Sequence, residues 1–391
     1  MEVIKDSQCK KDTPVRLGAA SAPIYGKGVA IEPRYPGRLL TAHDHKMYLP
    51  RLLPLEDYDR IIVLYSSGKD SVASYIKLLE LGVPKSKITL FHHDIDGGHP
   101  TRRMDWPVTR NYVRAFAEAE GVSLRVSWRV NGFFGELYRV GASLPIQYED
   151  NGTVKTCGLS DAQLLSERLR ASGNEEQLKA LGYRMKFPAK SGDLSRRWCS
   201  AYLKISVADS VIYNLEETRS NTKILIVSGE RRGESIGRQK YNEVELHRKN
   251  ATAKAQRLVH HWRPVINHSL RDVWEMCGRR GITPHPCYTA GWNRCSCAAC
   301  IFSLPCHWAG FRELFPAEYE ALRQDEIRLG FTLDNKKPLD EFVGDAKSCV
   351  YHGDQKALRQ LVSGGFTRND IYTPEWDFPA GAFRGSEGGP C

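Results

Sequence analysis

The run Arg60-Ile61-Ile62-Val63-Leu64-Tyr65 is almost continuously apolar, and beyond the hexapeptide Ser66–Ser71 a stretch with helical period runs from Val72 to Leu81. A short apolar run reads as a strand buried on both faces, and a strand leading at once into a helix reads as a βα unit. The pattern recurs. Lys87 to Ile95 and Val122 to Val130 predict a second and a third strand, with an amphipathic helix, Pro107 to Glu120, between them. Thr222 to Ser228 predicts a fourth. Strands alternating with helices make a mostly parallel sheet covered on both faces, so the expected fold is doubly wound α/β.

Around this frame the patterning is weaker. Residues 1–55 carry Pro, Gly and scattered charge without a sustained period, and read as an irregular N-terminal arm. A polar insertion, 141–195, mixes loop signals with the helical stretch Ser160 to Leu181. After the fourth strand come a charged segment, the helix Leu270 to Arg280, a cysteine cluster and the helix Ala317 to Leu329. Asn369 to Cys391 is rich in Gly, Pro and aromatics and lacks a core of its own. The expected organisation is an arm (1–55), an α/β domain (56–268), a Cys-rich helical region (269–345) and a C-terminal extension (346–391). No internal repeat is visible.

Composition narrows the class. With 41% apolar and 10% aromatic residues in 391, the chain is expected to fold around a sizeable core. No apolar run approaches the ~20 residues that cross a bilayer. Met1 to Arg16 is charged and without a secretory core, so the expected location is cytoplasmic. Lys and Arg outnumber Asp and Glu by 56 to 46, a net charge of +10 that favours a polyanionic partner. Nine basic residues against four acidic ones concentrate part of that excess between Glu230 and Arg263. Five of the eleven cysteines (Cys287, Cys295, Cys297, Cys300 and Cys306) fall in one short segment. In a reducing compartment clustered thiols hold a metal or an iron–sulfur cluster more often than they pair as disulfides.

The candidate chemistry lies at strand ends, where ligands bind to open parallel sheets. Ser66-Ser67-Gly68-Lys69-Asp70-Ser71 joins the first strand to its helix. Such a turn aims backbone N–H groups at an anion; Gly68 permits close approach, Lys69 adds positive charge, Ser66, Ser67 and Ser71 add hydroxyls, and Asp70 orients the loop. It lacks the Walker spacing. After the second strand, Asp94 and Asp96 are placed to meet a ribose hydroxyl or Mg²⁺, with ordinary strand-end polarity as the plainer reading of His92-His93. After the fourth, Gly229, Glu230, Arg231, Arg232 and Arg238 form a segment suited to clamping phosphates and a leaving pyrophosphate, although Arg238 alone also reads as an ion-pair residue. Cys199 stands among Arg196, Arg197 and Lys204, which predicts a depressed thiol pKa and a nucleophile, sulfur carrier or metal ligand. Cys297 and Cys300 form a Cys-x-x-Cys pair, for which zinc and iron–sulfur are both open.

Taken in order, these motifs resemble the phosphoadenosine phosphosulfate (PAPS) reductase-like family of PP-loop proteins. Within it they look most like the branch common in bacteriophage genomes and related to the DNA-phosphorothioation ATP pyrophosphatase of the Dnd system. The resemblance runs from about Arg60 to Gly330. It rests on the Ser66–Ser71 loop, Met104-Asp105-Trp106-Pro107-Val108-Thr109, Arg197-Trp198-Cys199-Ser200 with Lys204, Ser228-Gly229-Glu230-Arg231-Arg232, Trp262-Arg263-Pro264-Val265, His285-Pro286-Cys287-Tyr288 and Cys297-Ala298-Ala299-Cys300-Ile301-Phe302. It implies an adenine nucleotide alpha-hydrolase-like PP-loop fold holding ATP or PAPS, with the phosphates in the Ser66–Ser71 loop. By the same resemblance Cys199, Cys297 and Cys300 would ligate a [4Fe–4S] cluster, with Cys306 slightly preferred over Cys295 and Cys287 as fourth ligand and zinc as the alternative metal.

Two departures stand out. Ser67 replaces a Gly of the family loop, and the C-terminal Glu-Cys-Gly motif of true PAPS reductases is missing, leaving only Cys391 in Gly-Gly-Pro-Cys. The leading expectation is therefore an ATP pyrophosphatase-type enzyme. It would use Lys69, Asp70, Arg231, Arg232 and Mg²⁺ to adenylylate an acceptor for sulfur transfer. That acceptor is expected to be nucleic acid, and the sulfur donor a cysteine desulfurase or thioredoxin. A sulfonucleotide reductase using Cys199 or Cys391 is the alternative. A nucleic-acid-binding module with a structural zinc is the third reading.

Overall fold

The computed structural model describes residues 51–385. Most of the predicted arm, and Cys391, lie outside these residues. One eight-stranded sheet runs through the molecule in the order β5-β4-β3-β2-β1-β6-β8-β7. The central five are parallel: β3 (Ser123–Arg129), β2 (Ile88–Asp94), β1 (Arg60–Leu64), β6 (Lys223–Val227) and β8 (Leu258–Trp262). Antiparallel strands extend both edges, β4 (Ile146–Asp150) and β5 (Thr153–Thr156) beyond β3, and β7 (Val244–Leu246) beyond β8. The four predicted strands match β1, β2, β3 and β6 to within a residue or so at each end.

Side-chain alternation assigns the faces. Ile61, Val63, Leu225 and Val227 enter the larger apolar cluster, together with helices α1 (Lys69–Glu80), α2 (Thr109–Glu120) and α5 (Leu270–Arg279). Ile62, Ile224 and Ile226 point the other way, onto Val207, Val211 and Ile212 of α4 (Ser206–Asn214). The period of two places neighbouring residues on opposite faces, so a strand flanked by helices on both sides reads as continuously apolar. Helix α3 (Asp161–Ala171) lies in the insertion and is closed by a Ser160–Gln163 capping box. The predicted helix Ser160 to Leu181 is in fact two, α3 and a short turn Glu175–Ala180, separated by Gly173 in the left-handed region with φ 71°.

Four strands escaped the pattern for physical reasons. β4 has only Ile146 and Tyr148 as buried residues, set among the polar residues of the insertion. β5 is exposed along its whole length, and β7 has three residues, so neither has an apolar face to display. β8 reads Leu-Val-His-His-Trp, with both histidines buried. His260 meets the Tyr58 hydroxyl at 2.6 Å and His261 the Ser228 hydroxyl at 2.6 Å. Buried polar side chains of this kind are stable only with partners that a local window does not contain. The charged segment after β6 thus contains the fifth parallel strand.

The Cys-rich region shares the larger core with the sheet, for that cluster runs from Leu55 to Ala382 and includes Trp292, Ala299 and Trp308. Helices α6 (Pro305–Leu314), α7 (Pro316–Leu329) and α8 (Gln355–Ser363) follow. The tail borrows its anchors from the body: Tyr372 donates to Glu120 at 2.7 Å and Trp376 to the Ile282 carbonyl at 2.8 Å. Among the described residues no helix is long and apolar enough to cross a membrane.

Candidate active site

The sheet order reverses at β1, whose parallel neighbours are β2 on one side and β6 on the other. The loops after β1 and β6 therefore diverge from adjacent strand ends and leave a crevice. A cavity of about 640 Å³ occupies it, lined by Ser66, Gly68, Lys69, Glu230, Lys204 and Cys297 among others. That volume suits a nucleotide-sized ligand.

Gly68 precedes the first residue of α1 and has φ −76°, an ordinary value. The left-handed residue of the loop is Ser67, with φ 62°. A non-glycine residue there is strained by ~1–2 kcal/mol, and the turn explains why glycine suits this place. Ser67 is buried, and its hydroxyl approaches the Cys295 sulfur at 3.6 Å. Part of the loop's donor set is satisfied internally: the Lys69 amide donates to the Tyr288 hydroxyl at 3.2 Å, and the Ser66 amide to Ser71 Oγ at 3.3 Å.

Asp70 sits between two cations. Its carboxylate accepts from Arg231 Nε at 2.5 Å and from Lys69 Nζ at 3.0 Å. Burial works to raise its pKa, but Lys69 and then Arg231 outweigh it and hold the group below its usual value. Arg231 is 2% exposed, so it ties the β6 loop to the β1 loop from beneath. Gly229 makes the approach possible: a Cβ there would lie 2.6 Å from the Asp70 carbonyl carbon and 2.8 Å from the Ser71 nitrogen.

The other predicted residues are distributed less uniformly. Glu230 and Arg238 line the cavity, and Arg238 pairs with Glu234. Arg232 turns to Asn267 and to the Tyr241 carbonyl and is not part of the lining. Asp94 accepts the Asp96 and Gly97 amides, and Asp96 accepts the Met104 amide at 2.6 Å. Both carboxylates thus hold the turn after β2, and neither lines the cavity. Burial raises Asp96 to about 6. The carboxylate that does reach the cavity from this side is Asp105.

Cys199, Cys297 and Cys300 come together, each within electrostatic range of the other two and of Lys204. A π-helical turn, Ala201–Ile205, carries Lys204 into the cavity wall. The thiol expected to be depressed is not: burial, and next the nearby Cys300, push Cys199 up to about 11, outweighing Lys204. Arg196 is exposed, and Arg197 is directed to the Ser191 carbonyl. Lys204 is raised, chiefly by Cys297. Cys306 has Cys349 as its neighbour: its backbone carbonyl accepts the Cys349 amide at 3.2 Å, and its thiol lies within electrostatic range of the Cys349 thiol. Cys287 and Cys295, the other candidates for a fourth ligand, lie with His285 under the Ser66–Ser71 loop.

Sequence reading missed a hydrogen-bonded series along the β6–β8–β7 edge. Ser228 Oγ meets His261 Nε2 at 2.6 Å, and His261 Nδ1 meets Glu245 at 3.2 Å, with Arg263 on Glu245 at 2.6 Å. All four line the cavity. Their one local signal was the His260-His261 pair flanked by Leu258, Val259 and Trp262.

Comparison with known proteins places this site in context. Residues 174–302 match the family model described as phosphoadenosine phosphosulfate reductase domain, a span that holds Cys199, Glu230, Arg231, Cys297 and Cys300 but not the Ser66–Ser71 loop. The chain is 28% identical over 271 residues to an uncharacterised 37.8 kDa protein from the gpa 5′ region of Escherichia phage 186, covering 66% of this chain and 71% of that protein. Among solved structures it is similar to the PAPS reductase of Candida auris in its phosphate complex. That likeness has 13% identity and a TM-score of 0.32, over 62% of this chain and 83% of that one, and it carries no weight for the site.

Proposed function

We propose that the cavity binds an adenine nucleotide, with its phosphates against the Ser66–Ser71 loop, and that the protein cleaves ATP between the α and β phosphates. The observation that carries this reading is the Lys69–Asp70–Arg231 triad, which locks the β1 and β6 loops together at the reversal of strand order. In this scheme an acceptor oxygen attacks the α phosphorus, the α–β P–O bond breaks, and pyrophosphate leaves. The acceptor's proton passes to a base in the cavity. A sulfur nucleophile brought by a desulfurase or thioredoxin-like donor then displaces AMP. Lys69 and Arg238 supply positive charge toward the departing phosphates, and Asp70 with Arg231 positions Lys69.

Glu230, which lines the cavity after β6 and meets Ser228 and Arg263, would help to hold Mg²⁺, and the ion would supply positive charge against the phosphates. Cys199, Cys297 and Cys300 suit three corners of an iron–sulfur cluster in their donor chemistry. The net charge of +10 supports a nucleic acid as acceptor.

The second reading, a sulfonucleotide reductase, is favoured by the match of residues 174–302. Incubating anaerobic protein with ATP, a nucleic acid acceptor and a sulfur donor, or with PAPS and reduced thioredoxin as the two-electron donor, and separating the products tests both. AMP with pyrophosphate supports the first. Sulfite with adenosine bisphosphate supports the second and overturns the first. Lys69→Ala should abolish whichever activity is found.

A further inference from the structure

We infer that His285, Cys287 and Cys295 form a site for one thiophilic divalent cation, zinc, beneath the Ser66–Ser71 loop and separate from the Cys199, Cys297 and Cys300 thiols. One ligand atom from each of the three residues lies within 4.8 Å of the other two. Zinc–sulfur bonds of about 2.3 Å in a tetrahedron set ligand–ligand edges of about 3.8 Å, so a modest contraction closes the set around an ion.

The local fold builds this arrangement. His285 caps the short helix Pro286–Thr289, which carries Cys287 in its first turn. The chain reverses at Gly291, with φ 112°, and returns with Cys295. A Cβ at Gly291 would lie 2.1 Å from the Cys349 carbonyl oxygen, so the reversal is fixed by its surroundings. His285 and Cys287 are fully buried, whereas Cys295 is partly exposed and lines the cavity.

A second set of contacts orients the imidazole. Thr109 Oγ1 donates to Asp105 Oδ1 at 3.3 Å, which leaves its oxygen to accept the His285 Nε2 proton, also at 3.3 Å. The relay His285–Thr109–Asp105 keeps the proton on Nε2 and the lone pair on Nδ1, which accepts the Cys287 amide at a long 3.3 Å in this structure and would turn from that amide to a bound ion. A hydroxyl and a carboxylate behind the histidine are the usual outer partners of a metal-bound imidazole.

Two thiolates and an imidazole select zinc over magnesium. Three protein ligands leave the fourth position open, as in reactive rather than structural zinc sites. Here that position borders the cavity, and the Ser67 hydroxyl stands 3.6 Å from Cys295 Sγ. An ion held there would face a ligand oxygen and brace Ser67 in its left-handed conformation.

The test uses the full chain purified anaerobically, with zinc and iron quantified separately, followed by Co²⁺ exchange. The expected result is about one zinc per chain and, with Co²⁺, a sulfur-to-cobalt charge-transfer band. Cys295→Ser, at the partly exposed position, should lower zinc affinity by at least tenfold, while Cys297→Ser and Cys300→Ser retain it. The cobalt spectrum of the unaltered protein needs no variant and covers the case in which Cys287→Ser fails to fold. Failure to bind Zn²⁺ or Co²⁺ overturns the inference. So does loss of iron instead of zinc in Cys295→Ser, or a Cys287–Cys295 disulfide in the anaerobic protein. None of these outcomes depends on which nucleotide the cavity binds.

Discussion

Replacing Gly229 by Ala tests how the two phosphate-side loops meet. The added methyl carbon would lie 2.6 Å from Asp70 C, 2.7 Å from Asp70 O and 2.8 Å from Ser71 N. All three are backbone atoms at the start of α1, so no side chain can swing aside. Relief requires the β6 loop to withdraw, which stretches the Arg231–Asp70 contact of 2.5 Å. Overpacking against backbone costs about 1–3 kcal/mol. Because ligand binding needs the loops together, a cost of that size weakens nucleotide affinity by about 5- to 150-fold. The assay is calorimetric nucleotide binding alongside urea unfolding, with Gly158→Ala as control, since only Asn214 Oδ1 at 3.6 Å would neighbour a Cβ there. Should Gly229→Ala match Gly158→Ala in both stability and affinity, the close approach of the loops is not what shapes the site.

Further expectations follow from the same geometry. Arg231→Ala strips the partly buried Asp70 carboxylate of one of its two cations, leaving Lys69, and should destabilise the fold by about 1–3 kcal/mol, read by chemical unfolding; a change under about 0.5 kcal/mol would contradict the role of this pair. Burial lowers His93 and His247 to about 3 and His260 and His307 to about 4. The unfolded chain binds these protons first, so stability present above about pH 6.5 is lost as pH falls toward 4, by up to about 1.4 kcal/mol per pH unit for each group. Among the described residues His93 Nε2 has no partner, so His93→Gln should flatten that decline, and an unchanged pH profile would count against it. Asp96 has the opposite sign: with its folded pKa raised to about 6, it costs stability as pH rises from about 4 to 6, and Asp96→Asn should reduce that component of the unfolding profile.

The parallel core was legible because β1, β2 and β6 each place apolar residues on both faces, β3 alternates Leu124, Val126 and Trp128 with polar residues, and the loop after β1 has a composition found at phosphate sites. β8 was not, because its His260 and His261 draw their stability from Tyr58 and Ser228, far away in sequence. The site was legible in its motifs more than in its roles. Asp94 and Asp96 stand at a strand end as expected, yet backbone amides claim both carboxylates. Cys199 has cations near it in sequence, but burial and the neighbouring thiols decide its proton affinity. Arg231 was expected to touch phosphate and lies buried on Asp70. For Asp94 and Asp96 the deciding partners are amides of their own turn, whereas those of Cys199 and Arg231 come from segments far away in sequence, which no local pattern encodes.

The most direct test of the central claim is titration calorimetry of ATP, with Mg²⁺ present, into anaerobically purified protein and into Lys69→Ala. The expected result is saturable binding to the unaltered protein at about one nucleotide per chain, in preference to PAPS, and its loss in the variant. Equal affinity in both proteins, or no binding of ATP, would contradict it.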